Sequence, residues 1–158
     1  MPDDLIFRIS GDAFVLLPAK VYDTMNGFTL GTQGDAEAGG ILIGSYRGNH
    51  VQVRQCTVPL RRDLRERYLF DRKDRGHQLA ATLAWTKSFG TETFVGEWHT
   101  HPEDFPTPSM IDRATWGKIV RRRASPIVFL IMGRKGLWAG CGHRGDVKNM
   151  SLVSADSP

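Results

Sequence analysis

The sequence predicts an α/β fold, because runs of strand-like composition alternate with runs of helical spacing. The apolar run at 127–132 predicts a buried strand, and the segments 74–88 and 109–123 are long enough for several helical turns. With 158 residues, of which 41% are hydrophobic and 24% are charged, the chain is typical of one globular unit. We therefore expect a single domain over residues 1–158, with a loose tail at 154–158.

Turn residues and hydrophobic periodicity place the elements in chain order. They are a hairpin of strands 5–9 and 13–17, a helix starting at Pro18, a hairpin of strands 39–46 and 51–58, a helix over 74–88 closed by Gly90, a strand over 93–99, a helix over 109–123, and strands over 127–132, 137–141 and 147–153. The last of these is predicted as an edge strand. Leu79, Ala80, Leu83 and Ala84 are expected to form one apolar stripe of their helix.

The strongest functional signal is the sequence GEWHTHP, followed downstream by PSMID. Side chains two apart on a strand point to the same face, so His99 and His101 can present ring nitrogens to one point. Ser109 and Asp112 are three apart at the start of the next predicted helix, and they share a side of it. Two imidazoles and a carboxylate match the three protein ligands of a catalytic zinc site, whose fourth position holds water.

An acidic residue upstream can complete such a site. Glu37 precedes a Gly-Gly pair and a short apolar strand, and the bare backbone of the glycines allows close approach or a sharp turn. A hydrolytic metal site needs a base that is not itself a ligand, and Glu37 is the leading candidate. A second reading stays open for Ser109, because Ser-x-x-Asp is close to a helix-capping box that needs no metal.

Glu97 has three possible roles. In a regular strand it shares a face with His99 and His101, so it could orient one of the imidazoles. It could instead compete with Glu37 as the general base. The third possibility is an ordinary polar residue near the end of a sheet.

Taken together, Glu, Gly-x-Leu-x-Gly, His-Thr-His-Pro, Ser and Asp at these offsets resemble the JAMM (MPN+) metalloprotease family, in its prokaryotic JAB form, over about residues 13–141. The resemblance implies a three-layer α-β-α sandwich with a mixed sheet, related to cytidine deaminases. It also implies cleavage of isopeptide or peptide bonds behind ubiquitin or ubiquitin-like tails. The site residues that it implies are Glu37 as general acid and base, His99, His101 and Asp112 as ligands of one zinc per chain, and Ser109 as the hydroxyl that stabilises the oxyanion.

The finer pattern resembles a bacterial subgroup encoded beside enzymes like those that activate and conjugate ubiquitin, notably in the antiviral operons called CBASS. There the protease removes a nucleotide cyclase from its conjugates. The implied partners are conjugates with a C-terminal tail, from a cyclase first and a ubiquitin-like modifier second, and an E1- or E2-like enzyme of the operon. A non-catalytic scaffold and a DNA-associated binding protein remain alternatives, although scaffolds of this kind usually lack a ligand or the base.

The net charge of +4 and the pI near 9.3 come from two basic clusters, in 61–75 and at 121–123. By the resemblance, the first is an insertion that helps to hold the modifier's tail, with Arg61, Arg62 and Arg65 as candidate substrate contacts. The alternative is a solvated loop in which acidic residues alternate with the basic ones. The second cluster complements the dipole at a helix C-terminus. No base-stacking or groove-reading motif accompanies them, so nucleic acid is not an expected partner.

The remaining residues bear on the cell compartment. Cys56 and Cys141 have no metal-type spacing and predict reduced thiols in a cytoplasmic protein. The longest apolar run is too short to cross a bilayer, and the start has no signal-peptide character, so no membrane association is expected. His50, His77 and His143 have no ligand spacing and are expected to be ordinary polar or half-buried residues.

Overall fold

The computed structural model describes residues 3–29 and 36–153, so the predicted tail at 154–158 lies outside the described residues. The elements in this part of the chain are β1 (Leu5–Ser10), β2 (Ala13–Leu17), α1 (Ala19–Asn26), β3 (Gly39–Arg47), β4 (His50–Cys56), β5 (Leu64–Glu66), β6 (Leu69–Asp71), α2 (Gly76–Lys87), β7 (Thr93–Thr100), α3 (Met110–Arg121), β8 (Ile127–Met132), β9 (Leu137–His143), β10 (Asp146–Asn149) and β11 (Ser151–Leu152). No helix within these ranges is long and apolar enough to cross a membrane.

Nine of the strands form one sheet in the order β10-β9-β8-β7-β3-β4-β2-β1-β11. Most neighbours are antiparallel, whereas β7 with β8 and β2 with β4 are parallel. The predicted α/β fold with a mixed sheet is therefore confirmed. Strands β5 and β6 form a separate hairpin inside the basic cluster 61–75, where no strand is predicted from the sequence.

Helices pack against both faces of the sheet. Strand β8 is buried along its whole length, and its alternate residues face opposite sides. On one side, Val128, Leu130 and Met132 belong to a cluster with Val21 and Met25 of α1. On the other side, Ile127, Phe129 and Ile131 pack with Trp116 and Val120 of α3. Helix α2 lies on the α3 side, because Phe94 packs against both the α2 cluster and the α3 cluster.

The predicted apolar stripe of α2 is only partly right. Ala84 is buried and Ala80 packs against the same cluster, but Leu79 and Leu83 are 58% and 48% exposed. The buried residues of the helix are His77, Ala81 and Ala84, so the buried face is rotated away from the leucines. Small side chains let the helix approach the sheet closely over Ile41 and Ile43, and the larger leucines are left on the solvent side.

The single edge strand predicted over 147–153 is also wrong, because this segment forms two strands at opposite ends of the sheet. Strand β10 pairs with β9, and β11 pairs with β1. Between them, the amide of Met150 donates to Ala139 O at 2.9 Å, and just beyond them Val153 donates to Ile6 O at 2.8 Å. One short segment therefore joins both ends of the sheet, which curls around the cluster that contains α1.

Candidate active site

Three of the predicted ligand residues converge at the end of strand β7. His99 lies on that strand, His101 just beyond it, and Asp112 in the first turn of α3. The two Nε2 atoms are 3.0 Å apart, and they lie 3.2 Å and 3.1 Å from the two carboxylate oxygens of Asp112. One ligand atom from each residue falls within 4.8 Å of the others. Two ring nitrogens and a carboxylate oxygen, all directed at one point, fit a divalent metal ion.

The pairing of β3 with β7 places Glu37 beside this cluster. Gly39 pairs with His99 in the antiparallel ladder, so the residues before Gly39 run alongside those after His99. Thr100 holds the two segments together, because its amide donates to Ala38 O and its hydroxyl accepts from Ala38 N, both at 2.9 Å. The backbone ladder therefore brings a residue from 62 positions upstream to the three candidate ligands.

Glu37 has the environment of a general acid and base. Its residue is only 6% exposed, and its side chain lines the same cavity as the two histidines. Burial raises the pKa of Glu37 to about 7; the charge of His101 opposes the rise, and the charges of Asp112 and Glu103 add to it. A carboxyl group with a pKa near the working pH can both accept and return a proton.

Asp112 is held in place by the helix start that contains it. Its amide donates to Ser109 Oγ at 3.1 Å, and its Oδ2 accepts from Ser109 N at 2.8 Å, which forms a complete capping box. Burial opposes ionisation of Asp112, but hydrogen bonds from His101 and His99 outweigh it and hold the pKa of the carboxyl far below its usual value. Ser109 therefore does cap the helix, as one of its two readings expected.

Glu97 does not orient an imidazole in this structure. Its carboxylate is 2.6 Å from Arg72 Nη1, and no hydrogen bond joins it to His99 or His101 within the described ranges. Glu103 has that contact instead, because its Oε1 accepts from His101 Nδ1 at 2.9 Å. This bond leaves Nε2 of His101 facing the other ligands. Strand periodicity could not find Glu103, since it lies beyond Pro102, where the strand has ended; its only signal is an acid two residues after His101.

The cluster opens into a cavity of about 860 Å³. The hairpin β5–β6 contributes Tyr68 and Phe70 to one wall, and α3 contributes Ser109 and Ile111 to another. The three arginines proposed as substrate contacts, Arg61, Arg62 and Arg65, are not among the residues that line it. Their contact with a substrate stays a prediction.

His77 departs from the expectation of an ordinary polar or half-buried residue. It is buried, its Nε2 donates to Asp63 Oδ2 at 2.6 Å, and the Thr57 hydroxyl lies 2.6 Å from its Nδ1. Thr57 also accepts from Ile41 N at 2.8 Å through its hydroxyl and from Trp98 Nε1 at 2.8 Å through its carbonyl. The network therefore ties Asp63, near the start of the basic cluster 61–75, and the first turn of α2 to strands β3 and β7.

Comparison with known proteins identifies clear relatives. The family model described as prokaryotic homologs of the JAB domain matches residues 31–150. A protein of Pseudomonas aeruginosa named CD-NTase/cGAS isopeptidase is 47% identical over 106 residues, which are 66% of this chain and 67% of that protein. A protein of the same name from Escherichia coli is 34% identical over 148 residues, which are 94% of this chain and 94% of that protein. A third, from Vibrio cholerae, is 36% identical over 141 residues, which are 89% of this chain and 90% of that protein.

A solved structure supports the fold. The solution structure of a protein from Desulfitobacterium hafniense superposes with a TM-score of 0.59 over 83% of this chain and 86% of that one. The two sequences are 18% identical, so this likeness concerns the fold alone.

Proposed function

Because the chain belongs to the family of prokaryotic homologs of the JAB domain, we propose that it is a zinc-dependent isopeptidase that releases a nucleotide cyclase from its protein conjugates. The observation that carries the proposal is the convergence of His99, His101 and Asp112 beside the buried carboxyl of Glu37, in one cavity. The curated relatives bear the name of a CD-NTase/cGAS isopeptidase, which supports both the hydrolase class and the cyclase as substrate.

The metal would be held by Nε2 of His99, Nε2 of His101 and the carboxylate of Asp112. A bound zinc ion supplies Lewis-acid polarisation of a carbonyl group and lowers the pKa of a water molecule. Zinc suits this set because it binds imidazole and carboxylate together and tolerates an open fourth position. Glu103 would keep the ring of His101 in the ligating orientation.

The chain's own residues would move the protons. Glu37 takes a proton from the attacking water, whose oxygen forms the new bond to the scissile carbonyl carbon. The bond from that carbon to the amine nitrogen then breaks, and Glu37 returns its proton to the departing nitrogen. Ser109 Oγ accepts a hydrogen bond from the amide of Asp112, so the hydroxyl hydrogen of Ser109 remains free to donate to the oxyanion from the cavity wall.

The cavity supports an extended tail as the substrate segment. Tyr68 and Phe70 of the hairpin and Ile111 of α3 offer apolar and aromatic surface on either side of the metal cluster. An extended peptide between these walls can place its last carbonyl carbon within reach of the water that Glu37 would deprotonate. The tail of a nucleotide cyclase is the first candidate, and the tail of a bacterial ubiquitin-like modifier is the second.

Three finer points complete the proposal. An E1- or E2-like enzyme of the same operon would make the conjugates. The unpaired thiols of Cys56 and Cys141 support a cytoplasmic location. The packing of α1 on one face of the sheet and of α2 and α3 on the other supports the three-layer α-β-α sandwich, over one domain with its core at about 13–141.

The test uses a purified nucleotide cyclase of the CD-NTase class fused through its C-terminus to a reporter protein. Zinc-loaded enzyme should cut at the junction. Glu37→Gln should retain zinc and lose at least about 10³-fold in rate, because proton transfer is removed while the ligands remain. His99→Ala should lose both zinc and cleavage. Glu92→Gln is the matched control, since this acid precedes β7 at the end away from His99, and it should cut normally.

Two results would contradict the proposal. If wild-type enzyme with one zinc leaves both cyclase and ubiquitin-like fusions intact, the isopeptidase assignment fails. Tight, salt-sensitive DNA binding by the same sample would then favour the DNA-associated alternative. If Glu97→Gln abolishes cleavage while Glu37→Gln remains active, the base assignment must be exchanged.

A further inference from the structure

We infer that Arg65 is a positioning residue that holds the main chain of Glu37, and that the hairpin β5–β6 is the support of the general base. This inference rests on the proposed function. It differs from the role expected of Arg65 in the sequence analysis, which was contact with the substrate.

Two consecutive residues of β5 bind both backbone groups of Glu37. Arg65 Nε donates to Glu37 O at 2.9 Å, and Glu66 O accepts from Glu37 N at 2.7 Å. Glu37 precedes β3, which begins at Gly39, so the main ladder of the sheet does not provide these bonds. The bond from the guanidinium is charge-assisted, and such bonds are shorter and stronger than bonds between neutral groups.

The hairpin is itself fixed to the sheet, so it can act as a support. The ring of Phe70 packs on the bare backbone of Gly39, where an added Cβ would lie 2.5 Å from Phe70 Cδ1. Directly after β6, Arg72 pairs with Glu97 of β7 at 2.6 Å, with side chains that are only 29% and 12% exposed. The β6 side of the hairpin is therefore attached to both β3 and β7, and the β5 side binds Glu37.

Glu37 is thus held from two directions. The hairpin binds its own peptide groups, and Thr100 binds both peptide groups of the next residue, Ala38. Removal of the guanidinium leaves the Glu37 carbonyl without its charged donor, and the peptide group that contains it is then held only through Ala38 N by Thr100. The carboxyl group can then shift relative to the metal cluster, and proton transfer is sensitive to displacements of about 1 Å.

The two roles of Arg65 predict different kinetics. A positioning residue acts on the proton-transfer step, so its loss lowers kcat and leaves KM nearly unchanged. A substrate contact acts on binding, so its loss raises KM. A positioning effect also requires an intact base, so it disappears when Glu37 is already replaced.

The experiment compares Arg65→Met with Arg67→Met on the CD-NTase fusion, with zinc content and melting temperature measured for each variant. Arg67 is the matched control, because it lies in the same hairpin and its guanidinium stacks over Tyr68 at 5.2 Å. We expect Arg65→Met to lower kcat by about 10- to 100-fold with KM within about twofold of wild type. Arg67→Met should keep wild-type kcat. In the Glu37→Gln background, Arg65→Met should lower the residual rate by less than about twofold.

A rise in KM with unchanged kcat would overturn the inference in favour of a substrate contact, and unchanged kcat and KM would overturn it outright. If Arg65→Met loses zinc or melts early, Arg65→Lys is tested in its place, since the ammonium group can still reach the Glu37 carbonyl. Partial recovery of kcat in Arg65→Lys, at wild-type stability, supports the inference. Wild-type kcat in a folded Arg65→Ala variant contradicts it. Wild-type enzyme that cuts no fusion would reject the proposed function, whereas normal cutting by Arg65→Met would reject only this role.

Discussion

The three candidate metal ligands and the support of Glu37 are positioned in different ways. His99, His101 and Asp112 lie within 14 positions of one another, on one strand end and the helix that follows. Glu37 is held by Arg65, which lies 28 residues downstream of it. Its neighbour Ala38 is held by Thr100, which lies 62 residues downstream of Ala38. The first arrangement depends on side chains at regular spacing, whereas the second depends on main-chain hydrogen bonds between distant segments. Ligand chemistry and base placement should therefore respond to different substitutions.

Among residues near the cluster that are not candidate ligands, the largest effect is expected at Ser109, where both readings can be measured at once. Loss of one oxyanion donor in Ser109→Ala should lower kcat by about 10²–10³-fold. Loss of the capping bond to Asp112 should lower the free energy of unfolding by about 1 kcal/mol. Measurement of kcat and of melting temperature separates the two. A lower melting temperature with wild-type kcat would leave capping as the only role.

A pair of glutamates on either side of the histidines gives a sharper comparison. Glu103→Gln weakens the acceptor for His101 Nδ1, so zinc affinity should fall by about 10- to 100-fold. Glu97→Gln breaks the pair with Arg72 but no bond to an imidazole, so zinc affinity should change by less than about threefold. Competition with a zinc chelator measures both. A larger loss in Glu97→Gln would mean that strand periodicity had identified the right partner.

The smallest effect concerns the stability of the metal-free protein as pH changes. Burial raises the pKa of Glu37 to about 7 from an ordinary value of 4.5, so the folded state binds this proton more tightly than the unfolded state. Binding of this proton therefore stabilises the folded protein fully below pH 4.5, and this stabilisation is lost as pH rises through about 7. Glu37→Gln carries no such proton, so it should be more stable than wild type by about 1–2 kcal/mol at pH 8, with little difference at pH 4.

Chemical denaturation of both metal-free proteins at the two pH values measures this difference. Groups such as His101 and Asp112 titrate in both proteins, so most of their contribution cancels. A difference between the two proteins that is equal at pH 4 and pH 8 would show that the burial of Glu37 does not penalise its charge.

The site residues illustrate how far sequence spacing reaches. Strand periodicity brought His99 and His101 to one face, and a helix start placed Asp112 opposite them, because these relations depend only on local backbone geometry. The same periodicity offered Glu97 as one possible partner of the histidines and gave no signal for Glu103, which binds His101 from beyond the strand end. Periodicity cannot follow a side chain once Pro102 has ended the regular backbone.

The sequence by itself therefore determined the order of the helices and of strands β1–β4 and β7–β9, and it indicated the candidate ligands and the candidate base, since each follows from periodicity or from residue chemistry within short segments. Tertiary structure alone decided which face of α2 is buried, how residues 146–152 divide between both ends of the sheet, and which groups hold Glu37. Each of those choices is made by packing or hydrogen bonding with segments far away in the chain. Several arrangements satisfy the local pattern equally well, and only the distant partner distinguishes them.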